Sequence, residues 1–265
     1  MTGDEGDKAV IYRKDDGIAE VRLNRPHRLN AVIEQLYEEM LQALDDAEAD
    51  PDVRVVVVTG EGRAFCVGAD MKAHDTAARS DAERRHYLAL GQATCKRMHT
   101  LGKPVIAAVN GYAIGGGLEL AVSADFMLIK ESAEVGLPEV SIGTYVGGAV
   151  TRLLPRLVGL AKARELIVLG ERIDGRVAAA IGLATRVFAD EDFDRGVRDF
   201  AEAVKRTAPV PLAFAKRHLN APGEGSYDDT LERELEAILS CMATRDWREG
   251  IDAFAEQRPP EFVGR

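Results

Sequence analysis

The sequence predicts a layered α/β fold followed by a helical region at the C-terminus. The order strand, loop, helix occurs twice between residues 53 and 123, and continuous runs of β-branched residues are typical of strands buried on both faces. Beyond Gly148 the hydrophobic residues recur at helical spacing. At 265 residues and 46% hydrophobic residues, the chain is long enough to bury a large core. We therefore predict a core in residues 1–189 and a helical region in residues 190–265.

The first elements are predicted to be a β-hairpin, a helix and a buried strand. Strands at 10–12 and 18–23 flank the turn sequence Asp15-Asp16-Gly17. Hydrophobic residues at helical spacing predict a helix over 31–49, and the β-branched run at 53–59 predicts a strand. Residues 1–8 are rich in Asp, Glu and Gly, and we predict that they are disordered.

The remaining pattern predicts the rest of the core and then helices. The core continues with a helix at 81–101, a strand at 104–109, a short helix at 116–123 and a strand at 126–129. Later helices are predicted at 150–157, 161–169 and 175–181, with four more between 190 and 256. The hydrophobic residues of the last two cover a wide arc, which favours contact with another subunit. They are Leu231, Leu235, Ile238, Leu239, Met242, Trp247, Ile251 and Phe254.

Composition excludes several classes of protein. A formal net charge of -10 argues against a nucleic-acid or membrane-surface binder, which would carry a basic stripe. Three widely spaced cysteines encode neither a disulfide framework nor a zinc site, and the five histidines have no metal-ligand spacing, so we predict no metal and a cytoplasmic location. No hydrophobic run approaches the ~20 residues that span a bilayer. The motifs of serine hydrolases, P-loop proteins and dinucleotide-binding folds are missing.

Two glutamates stand in settings that are unusual for an exposed carboxylate. Glu119 follows three glycines and opens a hydrophobic helix, and Glu139 follows Pro138 at the head of another hydrophobic segment. Two carboxyls at one water in an apolar pocket can act as general base and general acid, because burial and mutual repulsion separate their pKa values. Taken singly, Glu119 also fits a first-turn acid that matches the helix dipole, and Glu139 an exposed acid after a proline.

Two loops leave predicted strands and enter helices beside these carboxyls. Residues 63–72 contain Gly68, which permits close approach of a ligand, and Asp70, which is a good helix N-cap. Residues 110–120 contain three successive glycines, and the free N–H groups at such a helix start can stabilise developing negative charge. Either loop alone also fits an ordinary connection with tight packing. Together with the two glutamates, they favour a catalytic site.

Six motifs in order make the chain resemble the enoyl-CoA hydratase/isomerase (crotonase) superfamily over nearly its whole length. They are Leu-Asn-Arg-Pro at 23–26 with Leu-Asn-Ala at 29–31, Ala-Phe-Cys at 64–66 with Gly-Ala-Asp at 68–70, residues 111–121, Pro-Glu at 138–139, the glycines at 143 and 147, and residues 254–259. The resemblance implies a crotonase-like spiral of repeated ββα units. It also implies that the C-terminal helices build trimers, often paired as hexamers.

The resemblance assigns catalytic roles to five residues. The peptide N–H groups of Ala69 and Gly116 match the family's oxyanion hole, which holds the thioester oxygen of an acyl-CoA. Glu119 and Glu139 match the two glutamates of the hydratases, and Gly147 matches the glycine whose N–H helps to hold the water. The implied reaction is reversible addition of water to a 2-enoyl-CoA, in which Glu119 takes a proton from water and Glu139 delivers one to C2.

The resemblance also implies how coenzyme A is bound, as part of the substrate and with no separate cofactor. The adenine would lie along the backbone of Val67, Ala69 and Met71, and Arg28 would meet a phosphate. Gln257 stands where the family often has a lysine, so a contact from a neighbouring subunit is not predicted there.

The segment that lines the acyl chain departs from the family pattern. Val146 stands where typical hydratases have proline, and Ala149 and Val150 where they have glycines. We therefore expect an unusual acyl preference, with Tyr145 narrowing the pocket and further walls from residues 73–98. Two other functions remain open: double-bond isomerisation or another acyl-CoA reaction of the family, and coenzyme A binding by an oligomer without turnover. Retention of both glutamates favours hydration.

Overall fold

The computed structural model describes residues 8–73, 79–221 and 226–265. The disorder predicted for residues 1–8 therefore lies, except for Lys8, outside the described residues. The chain begins with the predicted hairpin, β1 (Val10–Asp15) and β2 (Ile18–Leu23), and continues through a single 3-10 turn, Pro26–Arg28, to helix α1 (Glu34–Ala49). Helix α1 begins later than predicted because Val32 forms a β-bridge to Ala69 and Ile33 is extended.

Three successive ββα units form the core, as the resemblance to the crotonase superfamily implied. The first contains β3 (Val55–Gly60), β4 (Ala64–Cys66) and α2 (Asp81–Thr100); the second contains β5 (Val105–Val109), β6 (Tyr112–Ile114) and α3 (Gly116–Val122). The third contains β7 (Phe126–Lys130), β8 (Glu134–Gly136) and α4 (Val150–Leu169), with a 3-10 turn at Val140–Ile142 between them. The strands β4, β6 and β8 were not predicted, because three residues are too few to display a period of two.

The C-terminal part follows the predicted order of helices. It contains β9 (Ile173–Asp174), α5 (Gly175–Ala180), β10 (Arg186–Phe188), α6 (Phe193–Lys205), α7 (Pro209–Asn220), α8 (Tyr227–Met242) and α9 (Arg245–Glu256). Helix α4 is broken at Gly159, whose φ of 77° and ψ of 157° are not helical, and its two halves match the two predicted helices. The boundary at residue 189 stays a prediction.

The strands form two sheets that share one hydrophobic core. The larger sheet has the order β1-β2-β3-β5-β7-β10 and is parallel except between β1 and β2. The smaller sheet has the order β4-β6-β8-β9, and its first three strands are parallel. Strands β3 and β5 are completely buried, as predicted, because α6 covers the face of the larger sheet that is opposite the main core.

Helix α7 is fastened to the core by a buried lysine. Lys216 Nζ lies 2.7 Å from Asp125 Oδ2 and donates to the carbonyl oxygens of Met98 and Lys103, both at 3.0 Å. Because the ammonium group has a carboxylate and two carbonyls as partners, its charge is compensated although the residue is only 8% exposed. This contact anchors α7, the second helix of the C-terminal helical region, to the end of α2.

Candidate active site

The three short parallel strands bring the sequence-predicted residues together. Cys66 in β4 pairs with Ala113 in β6, and Ile114 in β6 pairs with Gly136 in β8. Since neighbouring parallel strands end at the same edge of a sheet, the segments after them emerge side by side. Those segments, 67–70, 115–119 and 137–139, carry the two predicted oxyanion amides and both glutamates.

The amide of Ala69 is directed by a backbone bridge to Val32. Val32 N donates to Gly68 O at 2.7 Å, and Asp70 N donates to Val32 O at 3.0 Å. Because successive peptide groups of an extended segment point to opposite sides, the N–H of the residue between these two points away from Val32. The bridge therefore leaves the Ala69 amide available to a ligand.

The amide of Gly116 is the first of helix α3. N–H groups in the first turn of a helix have no partner within that helix. Gly68 has a φ of +79°, and a Cβ at Gly68 would lie 3.1 Å from Gly116 N, so the two segments are in direct contact. The two amides that the resemblance assigns to the oxyanion hole thus come from adjacent segments.

The three glycines before Glu119 differ in what a side chain at each position would meet. Gly117 permits tight packing, because a Cβ there would lie only 1.9 Å from Cys66 O. Gly115 has a φ of +56°, and a Cβ there would lie 2.5 Å from Glu139 Oε1. A Cβ at Gly116 would meet no atom closer than 3.6 Å. Packing therefore explains the third glycine, whereas the first makes room for a carboxylate of the site.

Glu119 points toward the segment that follows the third ββα unit. Its Oε1 accepts a hydrogen bond of 2.6 Å from Gly147 N. Burial raises the pKa of Glu119 from 4.5 to about 7; the bond from Gly147 opposes this rise and the charge of Glu139 adds to it. The carboxyl therefore changes protonation near neutral pH, as a general acid or base should.

Glu139 is 9% exposed, and its Oε2 is buried with no hydrogen-bond partner among the described residues. Its position after β8, at the start of the 3-10 turn, directs the carboxyl toward Gly115 at the head of α3. Burial raises the pKa of Glu139. Buried polar atoms are almost always paired, so an unpaired carboxyl oxygen marks a place for a substrate atom, a water or a proton.

The two carboxyls form a pair that can hold one proton near neutral pH. Interacting carboxyls lose their protons in steps that belong to the pair. The pKa of Glu119 is the more strongly raised, so in the empty site the shared proton resides mainly there. The arrangement implied by the resemblance, with Glu119 ionised and Glu139 protonated, is therefore the less populated form of the singly protonated pair in the empty site.

Side chains of α1 and α2 line the same region and were not singled out in the sequence. Tyr37 is 7% exposed, and its ring is tilted against that of Tyr87 at a centroid distance of 5.7 Å. Its hydroxyl oxygen would lie 3.7 Å from a Cβ at Gly116. Gln92 lies near Gly147, and Cys95 near the next residue. Tyr37 occupies an ordinary core position of an amphipathic helix, so its sequence context carries no signal for a pocket.

The residues predicted to bind coenzyme A lie on an accessible strip. Val67 is partly buried, whereas Ala69 and Met71 are exposed, and the residues between them are buried. Arg28 is exposed at the end of the 3-10 turn, close in sequence to the bridge at Val32. This alternation leaves one edge of the segment open to a ligand.

The settings of Asp70 and Tyr145 bear on two expectations from the sequence. Asp70 was expected to cap a helix, but α2 begins at Asp81 with Ser80 as its N-cap. Asp70 instead caps a single turn, because its Oδ1 accepts from the backbone N–H groups of Lys72 and Ala73 at 3.2 Å. Tyr145, expected to narrow the pocket, is 71% exposed, whereas Val146 beside it is buried.

No group of three or more His, Cys, Asp or Glu side chains in residues 8–73, 79–221 and 226–265 is arranged to hold a metal ion. Within the same residues, no helix has both the length and the hydrophobicity needed to cross a bilayer.

Comparison with known proteins extends these observations. The sequence model of the family described as enoyl-CoA hydratase/isomerase matches residues 13–265. The short-chain-enoyl-CoA hydratase of Clostridium acetobutylicum is 35% identical over 95% of this chain and 96% of its own, and the crotonyl-CoA hydratase of Syntrophomonas wolfei is 34% identical over 97% and 98%. The crystal structure of an enoyl-CoA hydratase from Bacillus anthracis superposes with a TM-score of 0.93 at 32% identity, covering 97% of this chain and all of that one. The chain therefore belongs to the enoyl-CoA hydratase/isomerase family.

Proposed function

We propose that this protein is an enoyl-CoA hydratase, which adds water reversibly across the C2=C3 bond of a 2-enoyl-CoA and gives a 3-hydroxyacyl-CoA. The observation that carries the proposal is the meeting of two glutamates, one buried and one half-buried, with two outward-directed amides at the edge of the smaller sheet. Glu139 contributes an unpaired carboxyl oxygen, and Glu119 is held by Gly147 N. Relatives named as enoyl-CoA hydratases align with nearly the entire chain.

The two amides would stabilise the charge that forms on the thioester. Attack of water at C3 gives the carbonyl oxygen enolate character, and donors already aimed at that oxygen stabilise it without reorganising. The N–H groups of Ala69 and Gly116 would serve as these donors. Loss of one such donor typically lowers kcat by about 10² to 10³.

The two glutamates would move the protons. Glu119 takes a proton from water while the hydroxyl oxygen bonds to C3, and Glu139 gives its proton to C2, so one proton leaves the pair and one returns. The hydrogen bond from Gly147 fixes the Glu119 carboxyl in place. The coenzyme A is part of the substrate, and the proposed chemistry requires no other cofactor.

Double-bond isomerisation is the nearest alternative, because one glutamate can move a proton between C2 and C4. The raised pKa of both carboxyls favours hydration, since hydration requires a base and an acid at the same time. A coenzyme A-binding oligomer without turnover is disfavoured because neither carboxyl is replaced.

The decisive assay follows the absorbance of the conjugated thioester in crotonyl-CoA. We expect the absorbance to fall on addition of enzyme, and Glu119→Gln and Glu139→Gln each to lower kcat by at least 10² while acyl-CoA binding is nearly retained. Turnover of 3-enoyl-CoA without hydration of any 2-enoyl-CoA would instead establish an isomerase. Tight acyl-CoA binding without either reaction would establish a binding protein.

The C-terminal helices suggest that the protein works as a homo-oligomer, a trimer or a hexamer. All eight hydrophobic residues that the sequence placed on the last two helices are exposed in the single chain, and Phe254 is 87% exposed. An exposed hydrophobic surface of this kind usually marks an interface. Light scattering should give a multiple of three chains, and Phe254→Asp should reduce it; a wild-type monomer would refute the proposal.

The free cysteines fit a cytoplasmic location.

A further inference from the structure

The turn that carries Ala69 is tied to the N-terminal loop by an enclosed ion pair that the proposed reaction does not use. Arg25 Nη2 lies 3.0 Å from Asp70 Oδ2, and the two side chains are only 14% and 7% exposed. The other terminal nitrogen of Arg25 donates to the carbonyl oxygen of Ala31. One guanidinium group therefore joins the residue after Ala69 to the residue before Val32.

The carboxylate of Asp70 also holds the turn from its other side. Its Oδ1 accepts from the N–H groups of Lys72 and Ala73. Burial raises the pKa of Asp70, but the hydrogen bonds from Arg25 and from these backbone groups outweigh it, so the pKa lies below its ordinary value. The carboxylate is thus ionised and fully paired at neutral pH.

Asn30 braces the opposite end of the same network. It is completely buried, and its Oδ1 accepts from Arg25 N at 2.8 Å. Its Nδ2 donates to Ala64 O at 2.7 Å and to Glu61 O at 3.1 Å. The loop that carries Val32 is therefore fixed to the beginning of β4, the strand that leads to Ala69.

These contacts determine where the Ala69 N–H points. The peptide plane that contains this N–H lies between two hydrogen bonds, from Val32 N to Gly68 O and from Asp70 N to Val32 O. Movement of Val32, or of the segment 68–70, therefore turns the amide. An oxyanion donor is effective only when it lies ~2.7 to 3.1 Å from the developing charge. A misplacement of about 1 Å can cost about 100-fold in rate.

We propose that Arg25 is a positioning residue for the oxyanion hole, whose ion pair with Asp70 fixes the direction of the Ala69 N–H. The inference rests on the proposed function, because that function gives the amide its role. Arg25 acts through Asp70 and touches neither the substrate nor the reacting atoms. A lysine would supply the charge but not a planar fork that reaches both Asp70 and the Ala31 carbonyl.

The test compares Arg25→Met and Arg25→Lys with a matched control, Arg22→Met. Arg22 also makes ion pairs, with Glu20 at 2.8 Å and Glu61 at 3.2 Å, but it lies in β2 and makes no bond to the turn of Ala69. We expect Arg25→Met to lower kcat by about 100-fold with a change in KM of only a few-fold. Arg25→Lys should be intermediate, and the control should retain wild-type kcat.

A spectroscopic measurement separates positioning from a merely structural role. The absorbance of a dimethylaminocinnamoyl thioester of coenzyme A shifts to the red when its carbonyl is polarised, so the bound spectrum reports the oxyanion hole without turnover. We expect a smaller red shift in Arg25→Met, and unchanged midpoints in the pH profile of its residual activity. A folded variant with the wild-type red shift, or with wild-type kcat, would overturn the proposal.

Two further outcomes are also decisive. If Arg25→Met does not fold by circular dichroism, Asp70→Asn removes one charge from the pair with little change of shape, and the same loss of red shift is expected. If the wild-type protein shifts the spectrum but hydrates no 2-enoyl-CoA, the proposed function fails. The effect of Arg25 on the shift then still supports or overturns the positioning role.

Discussion

The substitution Glu119→Gln should make the protein less active and more stable, with a gain in stability that depends on pH. Burial raises the pKa of Glu119 from 4.5 to about 7 in the folded chain. A group whose folded pKa is raised binds its proton more tightly when folded, so the folded state loses stability as the pH rises from 4.5 to about 7. The difference corresponds to ~3 kcal/mol above pH 7, at about 1.4 kcal/mol for each pH unit.

A glutamine at this position carries no charge and can keep the hydrogen bond from Gly147 N through its carbonyl oxygen. We therefore expect Glu119→Gln to increase the free energy of unfolding by ~3 kcal/mol at about pH 8.5, and by less than about 1 kcal/mol at about pH 5. Activity should fall by about 10² to 10⁴, the usual contribution of a general acid or base.

The assay is urea unfolding followed by far-ultraviolet circular dichroism at both pH values. Glu38→Gln provides the matched control, because Glu38 is exposed on α1 and its substitution should have the same small effect at both. An equal change in stability at both pH values for Glu119→Gln would refute the reasoning. It would show that ionisation of Glu119 does not oppose folding.

Three other predictions concern the carboxyl pair, Gly147 and the ion pair between Lys216 and Asp125. The kcat/KM for hydration should fall as the pH rises through about 7, because the pair of carboxyls then loses the proton that the general acid must deliver; a profile flat from pH 6 to 8 would contradict the pairing. Gly147→Ala should lower kcat by about 10- to 100-fold with little loss of stability, because the new Cβ would lie 3.0 Å from Glu119 Oε2 and 3.2 Å from Gln92 Nε2 and would displace the Glu119 carboxylate. An unchanged kcat would show that the position of this carboxylate beside Gly147 does not matter for the reaction. Lys216→Met should cost ~3 to 5 kcal/mol in urea unfolding, because it leaves the carboxylate of Asp125, whose side chain is only 12% exposed, without its ion-pair partner. Adding Asp125→Asn should recover part of that loss, and additive losses would exclude the coupling.

Much of the fold was accessible from the sequence because its main elements have long periodic patterns. The strands β3 and β5 are continuous β-branched or small hydrophobic runs, and they prove to be buried on both faces. The four helices after residue 190 and the break in α4 at Gly159 were also predicted. Helix α1 was predicted too long because Val32 pairs with Ala69, which is distant in the chain, and Ile33 is extended, and the hydrophobic pattern reveals neither.

For the candidate site, the sequence showed the residue types but not which of them meet in space. The types of residue were visible: a glutamate after three glycines, another after a proline, and two glycine-containing loops. Their meeting was not, because it depends on β4, β6 and β8, which are too short to be recognised and have meaning only when paired with each other. Likewise, no local pattern connects Arg25 to Asp70 or places Tyr37 beside Gly116.

The sequence by itself determined the class of fold, the order of the elements and the chemical groups that are available for catalysis, because each depends on neighbours a few positions apart. Only the tertiary structure decided that one carboxyl oxygen of Glu139 is buried without a partner, and that the pKa of Glu119 is raised to about 7. Burial and charge proximity are properties of residues that are distant in the chain, so they arise only when the sheets close around the site.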